Sequence, residues 1–301
     1  MRLLDILTSP WVIQPEKLTE IQEIYITHLR GEKIDLAGIE ARIGKPLDNK
    51  PKGYTIENGV AVLPIEGVIA KRMNIFMKIS GGTSSELVGR DIRLALADQD
   101  VNSILLYIDS PGGTVDGTQE LAREVYAARD TKPVAAFTDG MMASAAYWIG
   151  AAAGEIIISG DTAQVGSIGV VARHMDVSKY EEKIGVKTSE IVAGRYKRVA
   201  SQYEPLSESG RQSIQDAVDH IYTVFLGDVS RFRNLSLDTV KEGKADTIPW
   251  ADGRVFYGRQ AIDAGLVDGV STLAGIINQY SDPNYTVKQK VTKIIKSIRG
   301  G

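Results

Sequence analysis

Short apolar runs and longer amphipathic runs alternate along this chain from Val60 onward, and this alternation constrains the fold more than any other feature. The runs VAVLPI, SILLYID, PVAAFTD and EIIISG are rich in branched and apolar residues, as β-strands are. Between them lie SSELVGRDIRLALADQ, TVDGTQELAREVYAAR and SAAYWIGAAA, which have helical patterning. Because strands that alternate with helices at this spacing are typical of α/β proteins, we predict an α/β fold with much parallel sheet.

The same patterning divides the chain into three parts. Residues 1–55 contain the amphipathic run PEKLTEIQEIYITHL and a joint rich in Gly, Pro and Lys, which predicts a helical N-terminal arm with a linker. Residues 56–272 carry the alternation, including a helix in SKYEEKIG, a strand in TSEIVAG and a long helix over about residues 207–233. Residues 273–301 end in a basic, weakly amphipathic run, which indicates a short C-terminal tail.

Composition excludes several kinds of chemistry. With no Cys among 301 residues, disulfides, thiolate metal sites and a Cys nucleophile are ruled out. The three His are scattered, so we expect no metal site and no cofactor. A net charge of −3 provides no general attraction for nucleic acid. Because no apolar stretch reaches the roughly 18 residues of a membrane span, and the first residues lack a secretory signal pattern, we expect a cytoplasmic protein without a membrane anchor.

Glycines follow the predicted strand SILLYI in the segment DSPGGTVDG. Paired glycines allow the backbone to turn tightly and to expose successive N–H groups, which is what an oxyanion hole requires. An ordinary glycine-rich connection is the alternative interpretation of the same residues.

A serine and a lysine follow two other predicted strands. Ser144 comes after PVAAF at the start of SAAYWIGAAA, where unpaired N–H groups and the helix dipole favour a developing alkoxide. Lys197 lies in GRYKR, after TSEIVA. A lysine must be neutral to act as a base; from an ordinary pKa near 10.4 this costs about 4–5 kcal/mol at pH 7, and burial shifts lysines by that much. Taken singly, a serine that packs or caps the helix and a solvated lysine are the more common interpretations of these two residues.

Five segments in order resemble the signal peptide peptidase A family of serine peptidases: DSPGG, MMASAAYWIGAAA, AQVGSIGVV, GRYKR and GRVFYGRQAIDAGLVDGV. The resemblance covers roughly residues 60–270. That family shares its superfold with Clp peptidase and the crotonases. The resemblance therefore implies a Clp/crotonase-like fold built from repeated ββα units.

The resemblance also assigns roles to residues at matching positions. Ser144 becomes the nucleophile and Lys197 the general base of a Ser-Lys dyad, a known variant of the serine triad. The N–H groups of Gly113 and Ala145 form the oxyanion hole. Ser167, within VGSIG, occupies the position whose hydroxyl orients the lysine amine. The implied activity is that of a serine endopeptidase.

Alternatives remain for the base and for the function. Clp-type peptidases use histidine as the base; the corresponding stretch VGSIGVV has none, and His174, a few residues later, is the competing candidate. A crotonase-type acyl-CoA enzyme would use the same oxyanion hole on a thioester enolate, but it gives no reason for the ordered Ser144 and Lys197 motifs. A non-catalytic scaffold that retains the fold is the third class.

The expected absence of a membrane anchor makes the chain resemble the phage and prophage branch of that family, whose members are capsid assembly or head-maturation proteases. This implies a protein substrate, phage head or scaffold proteins among the candidates, and action in the host cytoplasm or procapsid. A cytoplasmic peptidase of signal peptides and protein fragments is the alternative. The family also implies ring-like homo-oligomers. Residues 71–82, rich in flexible apolar side chains, are a candidate for lining the peptide groove or a subunit contact.

Overall fold

A computed structural model describes residues 10–15, 18, 53–72, 81–243, 248–282 and 285. Most of the predicted helical arm, most of the segment 71–82 and the basic end of the predicted tail lie outside the described residues. The strands in the described part are β1 (Trp11–Ile13), β2 (Thr55–Glu57), β3 (Val60–Glu66), β4 (Val68–Ala70), β5 (Gly82–Ser84), β6 (Ser103–Asp109), β7 (Gly112–Thr114), β8 (Val134–Thr138), β9 (Met141–Ala143), β10 (Glu155–Ile158), β11 (Gln164–Gly166), β12 (Val255–Tyr257) and β13 (Gly269–Val270).

The helices connect and cover these strands. Those in the described part are α1 (Ser85–Ala97), α2 (Thr118–Ala128), α3 (Ala145–Ala151), α4 (Ser178–Lys183), α5 (Glu208–Arg233), α6 (Leu237–Glu242), α7 (Gly258–Ala264) and α8 (Leu273–Tyr280). As the sequence predicts, the long helix α5 begins after Ser207, whose side chain accepts a hydrogen bond from the Gly210 N–H and so caps the helix.

A six-stranded sheet in the order β13-β10-β8-β6-β3-β2 forms the centre of the molecule. All its neighbouring strands are parallel except β2, which runs antiparallel to β3. The strands β3, β6, β8 and β10 are apolar over nearly their whole length because the sheet is covered on both faces. The predicted α/β fold with much parallel sheet is confirmed.

Two further sheets lie at the carboxyl ends of the central strands, in the orders β1-β7-β4-β5 and β12-β11-β9. In β6-β7-α2 and in β8-β9-α3, a long central strand is followed by a short strand in one of these sheets and then by a helix. The predicted repetition of ββα units is therefore confirmed. Its consequence is that successive short strands place their last residues side by side at one end of the molecule.

The core extends over both faces of the central sheet. One face packs against α1, α2 and α3, and the other against α8 through Ile276, Ile277 and Tyr280. The long helix α5 lies on α3, where the Phe225 ring stacks on the Trp148 ring with centroids 4.4 Å apart. Strand β1, before the predicted boundary at 55/56, pairs with β7. Helix α8, after the predicted boundary at 272/273, packs on the central sheet. The described residues on the two sides of each predicted boundary are therefore in contact.

The predicted strand in TSEIVAG is wrong. Residues 186–192 have no regular secondary structure and pair with no strand in the described part of the chain. Ile191 is 99% exposed, and Tyr196, further along the same segment, is 66% exposed. An apolar run becomes a strand only when a neighbouring strand satisfies its backbone groups, and this segment lies outside all three sheets.

No helix in the part of the chain that the structure describes combines the length and the apolar character needed to cross a membrane.

Gly227 offers a test of the long helix. It is an exposed residue inside α5, and a Cβ added there would meet no atom within 4 Å. We expect Gly227→Ala to stabilise the protein by about 0.5–1 kcal/mol, because alanine restricts the unfolded backbone and favours helix. Gly210→Ala in the same helix is the matched control: its Cβ would lie 2.2 Å from Val199 O, so this variant should lose stability. Chemical denaturation of both variants measures the difference.

Candidate active site

Ser144 lies at a sharp turn between β9 and α3. Its backbone has φ 58° and ψ −118°, a strained conformation for a residue with a side chain. The turn is held on both sides: the Ser144 N–H donates to Gly166 O at 2.7 Å, and Ser144 O accepts from the Trp148 N–H at 2.9 Å. A serine on a strained strand-to-helix turn is the arrangement that presents a nucleophile in many hydrolases. This strain is not visible in the sequence.

The glycine segment after β6 comes directly against this turn. Gly112 has φ +103°, and a Cβ on it would lie 3.0 Å from both Ala145 N and Ser144 Cβ. A Cβ on Gly113 would lie 1.8 Å from Ile69 O, because β7 passes between β4 and β1. Glycine is needed at both positions for close approach of backbones rather than for an ordinary connection. The segment is anchored by Ser110, whose hydroxyl donates to Gly67 O and accepts from the Gly112 N–H.

The N–H of Ala145 is the first of helix α3 and has no acceptor among the described residues. The first N–H groups of a helix point outward, and the positive end of the helix dipole adds to them. Gly113 follows Gly112, so its backbone also lies near the N-terminal end of α3. An oxygen bound there would meet backbone donors rather than side chains, as an oxyanion hole requires.

Ser167 comes next to Ser144 through strand pairing. Strands β9 and β11 are parallel, and their last residues, Ala143 and Gly166, lie opposite each other. Ser144 and Ser167, which directly follow these residues, are therefore adjacent. Ser167 also has positive φ, 52°, and its N–H donates to Arg254 O at 2.7 Å. Parallel pairing of β9 with β11 therefore brings Ser144 and Ala145 close to Ser167. Gly113 comes to the same place through its neighbour Gly112, which lies against Ser144 and Ala145.

Lys197 does not join them in the single chain. Its side chain is exposed, and its Nζ has no hydrogen-bond or ion-pair partner within the described ranges. The competing base, His174, lies with Nε2 2.8 Å from Ser201 O. No hydrogen bond between described residues joins either group to Ser144. The burial that a neutral lysine needs is thus not supplied by the part of the chain that the structure describes.

A buried carboxylate, which sequence reasoning missed, holds the helix behind Ser144. Asp228 on α5 accepts hydrogen bonds from Trp148 Nε1 at 3.2 Å and Gln119 Nε2 at 2.9 Å, and Arg231 lies 3.3 Å from its other oxygen. Trp148 is the residue whose N–H binds Ser144 O. An acidic residue in the apolar stretch FLGDV was the available signal.

Two acidic residues near the glycine segment have structural partners. Asp109 Oδ1 accepts from the Met141 N–H, and Asp139 accepts from the Tyr107 hydroxyl at 3.0 Å. Burial, followed by the hydrogen bond to Asp139, raises the pKa of Tyr107 to about 12 and so favours the protonated phenol that donates this hydrogen bond. These carboxylates order the turns beside Ser144.

Comparisons with known proteins identify several relatives of this chain. The chain is 30% identical over 248 residues to "Head-tail preconnector protein GP5" of Enterobacteria phage P21, which covers 82% of this chain and 46% of that protein. It is 33% identical over 217 residues to "Capsid assembly protease C" of Escherichia phage lambda, covering 72% of this chain and 47% of that protein. The chain thus spans about half the length of these relatives.

A third relative, "Putative signal peptide peptidase SppA" of Enterococcus faecium, is 30% identical over 72% of this chain and 62% of its own length. Among solved structures, the ClpP protease catalytic domain from Plasmodium falciparum aligns with a TM-score of 0.41 and 13% identity, over 70% of this chain and 85% of that chain. Residues 127–286 match the family described as Peptidase family S49. On this match and the phage relatives, the chain belongs to peptidase family S49.

Proposed function

We propose that this protein is a serine endopeptidase in which Ser144 is the nucleophile and Lys197 the general base. The observation that carries the proposal is the strained turn of Ser144 at the start of α3, packed against Gly112. Family membership supports the reaction class, and the turn supports the choice of nucleophile.

In the proposed reaction, Lys197 takes the proton of the Ser144 hydroxyl as the oxygen attacks a peptide carbonyl. The N–H groups of Gly113 and Ala145 stabilise the oxyanion, and Ser167 orients the lysine amine. Protonated Lys197 then donates to the leaving amine. A water molecule, activated by the same lysine, hydrolyses the acyl-enzyme and restores Ser144.

Lys197 must become buried for this reaction, and we propose that a homo-oligomer buries it. The segment around it exposes several large apolar side chains, as an interface does before its partner is present. Those that are at least about half exposed are Ile184, Val186, Ile191, Val192 and Tyr196. A second copy packed on this segment would remove water from the lysine and favour its neutral form.

The proposed substrates are phage or prophage head and scaffold proteins. Two phage relatives carry names that refer to capsid assembly and the head-tail connector, and this chain matches most of its length to both. Processing of cleaved signal peptides or protein fragments is the second candidate, which the Enterococcus faecium relative favours.

A serine-reactive phosphonate probe tests the reaction class. We expect one covalent adduct per chain, located on Ser144 by peptide mass spectrometry and absent from Ser144→Ala. In parallel, co-expression with candidate head proteins should yield cleaved products with the wild-type protein and none with Ser144→Ala. Cleavage that persists undiminished in Ser144→Ala contradicts the nucleophile. Absence of labelling together with measurable coenzyme A binding supports the crotonase-type class, and absence of both supports a scaffold.

A further inference from the structure

Strand β1 pairs with the glycine segment of the candidate active site. Trp11–Ile13 runs antiparallel to β7, with Val12 opposite Gly113 and Ile13 opposite Gly112. On its other side, Trp11 exchanges two hydrogen bonds of 2.9 Å with Val171. The strand thus lies between two backbone edges, in the way an extended peptide binds by adding a strand.

The hydrogen-bond pattern places Val12 on the candidate oxyanion donor. The Gln14 N–H donates to Pro111 O at 3.1 Å in the same register, and hydrogen-bonded pairs alternate along an antiparallel ladder. Val12 and Gly113 are therefore a hydrogen-bonded pair, in which the Gly113 N–H donates to Val12 O. Trp11 turns its own N–H and C=O the other way, toward Val171.

The Val12 carbonyl also lies beside Ser144. A Cβ on Gly112 would be 2.4 Å from Val12 O and 3.0 Å from both Ala145 N and Ser144 Cβ, so these three atoms surround one point. An oxygen that is bound by Gly113 N–H and next to the serine stands where the carbonyl of a cleaved residue would stand.

Burial shows the consequence for access. Ser144 is 1% exposed, and Val12, whose carbonyl oxygen lies on the same side of Gly112 as Ser144, is fully buried at 0%. The flanking residues Trp11 and Ile13 are each 3% exposed. A protein substrate cannot reach the serine while the strand is in this position.

We infer that Trp11–Ile13 is a built-in occupant of the substrate groove, which blocks Ser144 until the strand leaves. The inference rests on the proposed function, because it takes Ser144 as the nucleophile. It adds an autoinhibitory contact between the N-terminal part of the chain and the site.

The occupant also indicates which peptides the groove accepts. A substrate would bind extended and antiparallel to β7, with an aliphatic side chain of the size of Val12 at the residue before the cleaved bond. Two residues earlier, at Pro10, a cavity of about 460 Å³ opens, lined by Trp148, His220 and Val224 among others. A side chain larger than proline has room there.

The test measures the rate at which the serine-reactive phosphonate labels Ser144 in the full chain. Val12→Pro removes the N–H that pairs with Gly113 O, while Val12→Ala keeps the backbone pairing and serves as the control. We expect labelling of Val12→Pro to be at least tenfold faster than that of the wild type, and labelling of Val12→Ala to change less. A synthetic peptide TSPWVIQPEK, residues 8–17, should slow the labelling of Val12→Pro again.

The outcomes distinguish failure of the inference alone from failure of the proposed function. Equal labelling rates in the wild type and Val12→Pro, with Ser144→Ala unlabelled and all variants folded by circular dichroism, overturn the inference and leave the peptidase intact. Cleavage between Val12 and Ile13 in the purified wild type also overturns it, because the strand would then be a substrate. No labelling in any variant overturns both.

Discussion

Lys197→Ala is expected to reduce peptide hydrolysis by about 10²- to 10⁴-fold, the range that a general acid or base contributes. Because the side chain is exposed in the single chain, its removal should leave the melting temperature of the unassembled chain within about 1 °C, as surface substitutions do. Hydrolysis of a fluorogenic peptide at saturating concentration gives the change in kcat, and thermal unfolding gives the stability.

Lys187→Ala is the matched control, because Lys187 is another exposed lysine of the same segment. It should retain wild-type activity. Mixing Ser144→Ala with Lys197→Ala subunits then distinguishes the two ways in which the dyad can form: activity returns if one copy supplies Lys197 to the Ser144 of another. Full activity of the Lys197→Ala protein by itself would contradict its role as the base.

Gly113→Ala is expected to destabilise the protein by about 3 kcal/mol, the upper end of the usual cost of overpacking, and to abolish labelling of Ser144. The new Cβ would lie 1.8 Å from Ile69 O, a backbone atom that cannot rotate away as a side-chain tip can. Strand β4, which contains Ile69, is paired on both sides, with β5 and with β7, so its backbone has little freedom to shift. Urea unfolding and probe labelling measure the two effects.

The control for this variant is Gly160→Ala. Gly160 does not have positive φ, and a Cβ there would meet nothing within 4 Å, so its stability should stay within about 0.5 kcal/mol of the wild type. A Gly113→Ala protein as stable as the Gly160→Ala protein would show that β7 and β4 do not approach as closely as the structure has them.

Much of the fold could be predicted because its signals are local. The runs VAVLPI and SILLYID became β3 and β6, and the long helix begins after Ser207, because apolar periodicity and capping act within a few residues. Parallel order followed from the alternation of strands and helices. The strand predicted in TSEIVAG is wrong because its composition is a local signal, whereas a strand also needs a neighbouring strand, and that depends on residues distant in the sequence.

The features of the candidate site were predictable from the sequence only where they depend on local residues. Serine at a helix start and paired glycines after a strand were visible in the sequence, and they pointed to Ser144 and Gly113. The strain at Ser144 is not visible in the sequence, and the partners of Asp228 are not either, because both depend on residues distant in the chain; only the acidic residue in FLGDV indicates a buried carboxylate. The role of Lys197 stays a proposal that depends on a second copy.

The sequence by itself therefore determined the α/β class, the order of the elements and the residue types able to perform acyl transfer, since these depend on periodicity and side-chain chemistry. Only the tertiary structure decided which backbones meet: Gly112 against Ser144, and Val12 on Gly113. Residues 12 and 113 are about a hundred positions apart, and no short-range pattern encodes their pairing. Backbone hydrogen bonds are chemically alike at every residue, so the choice between an empty and an occupied groove depends on long-range packing.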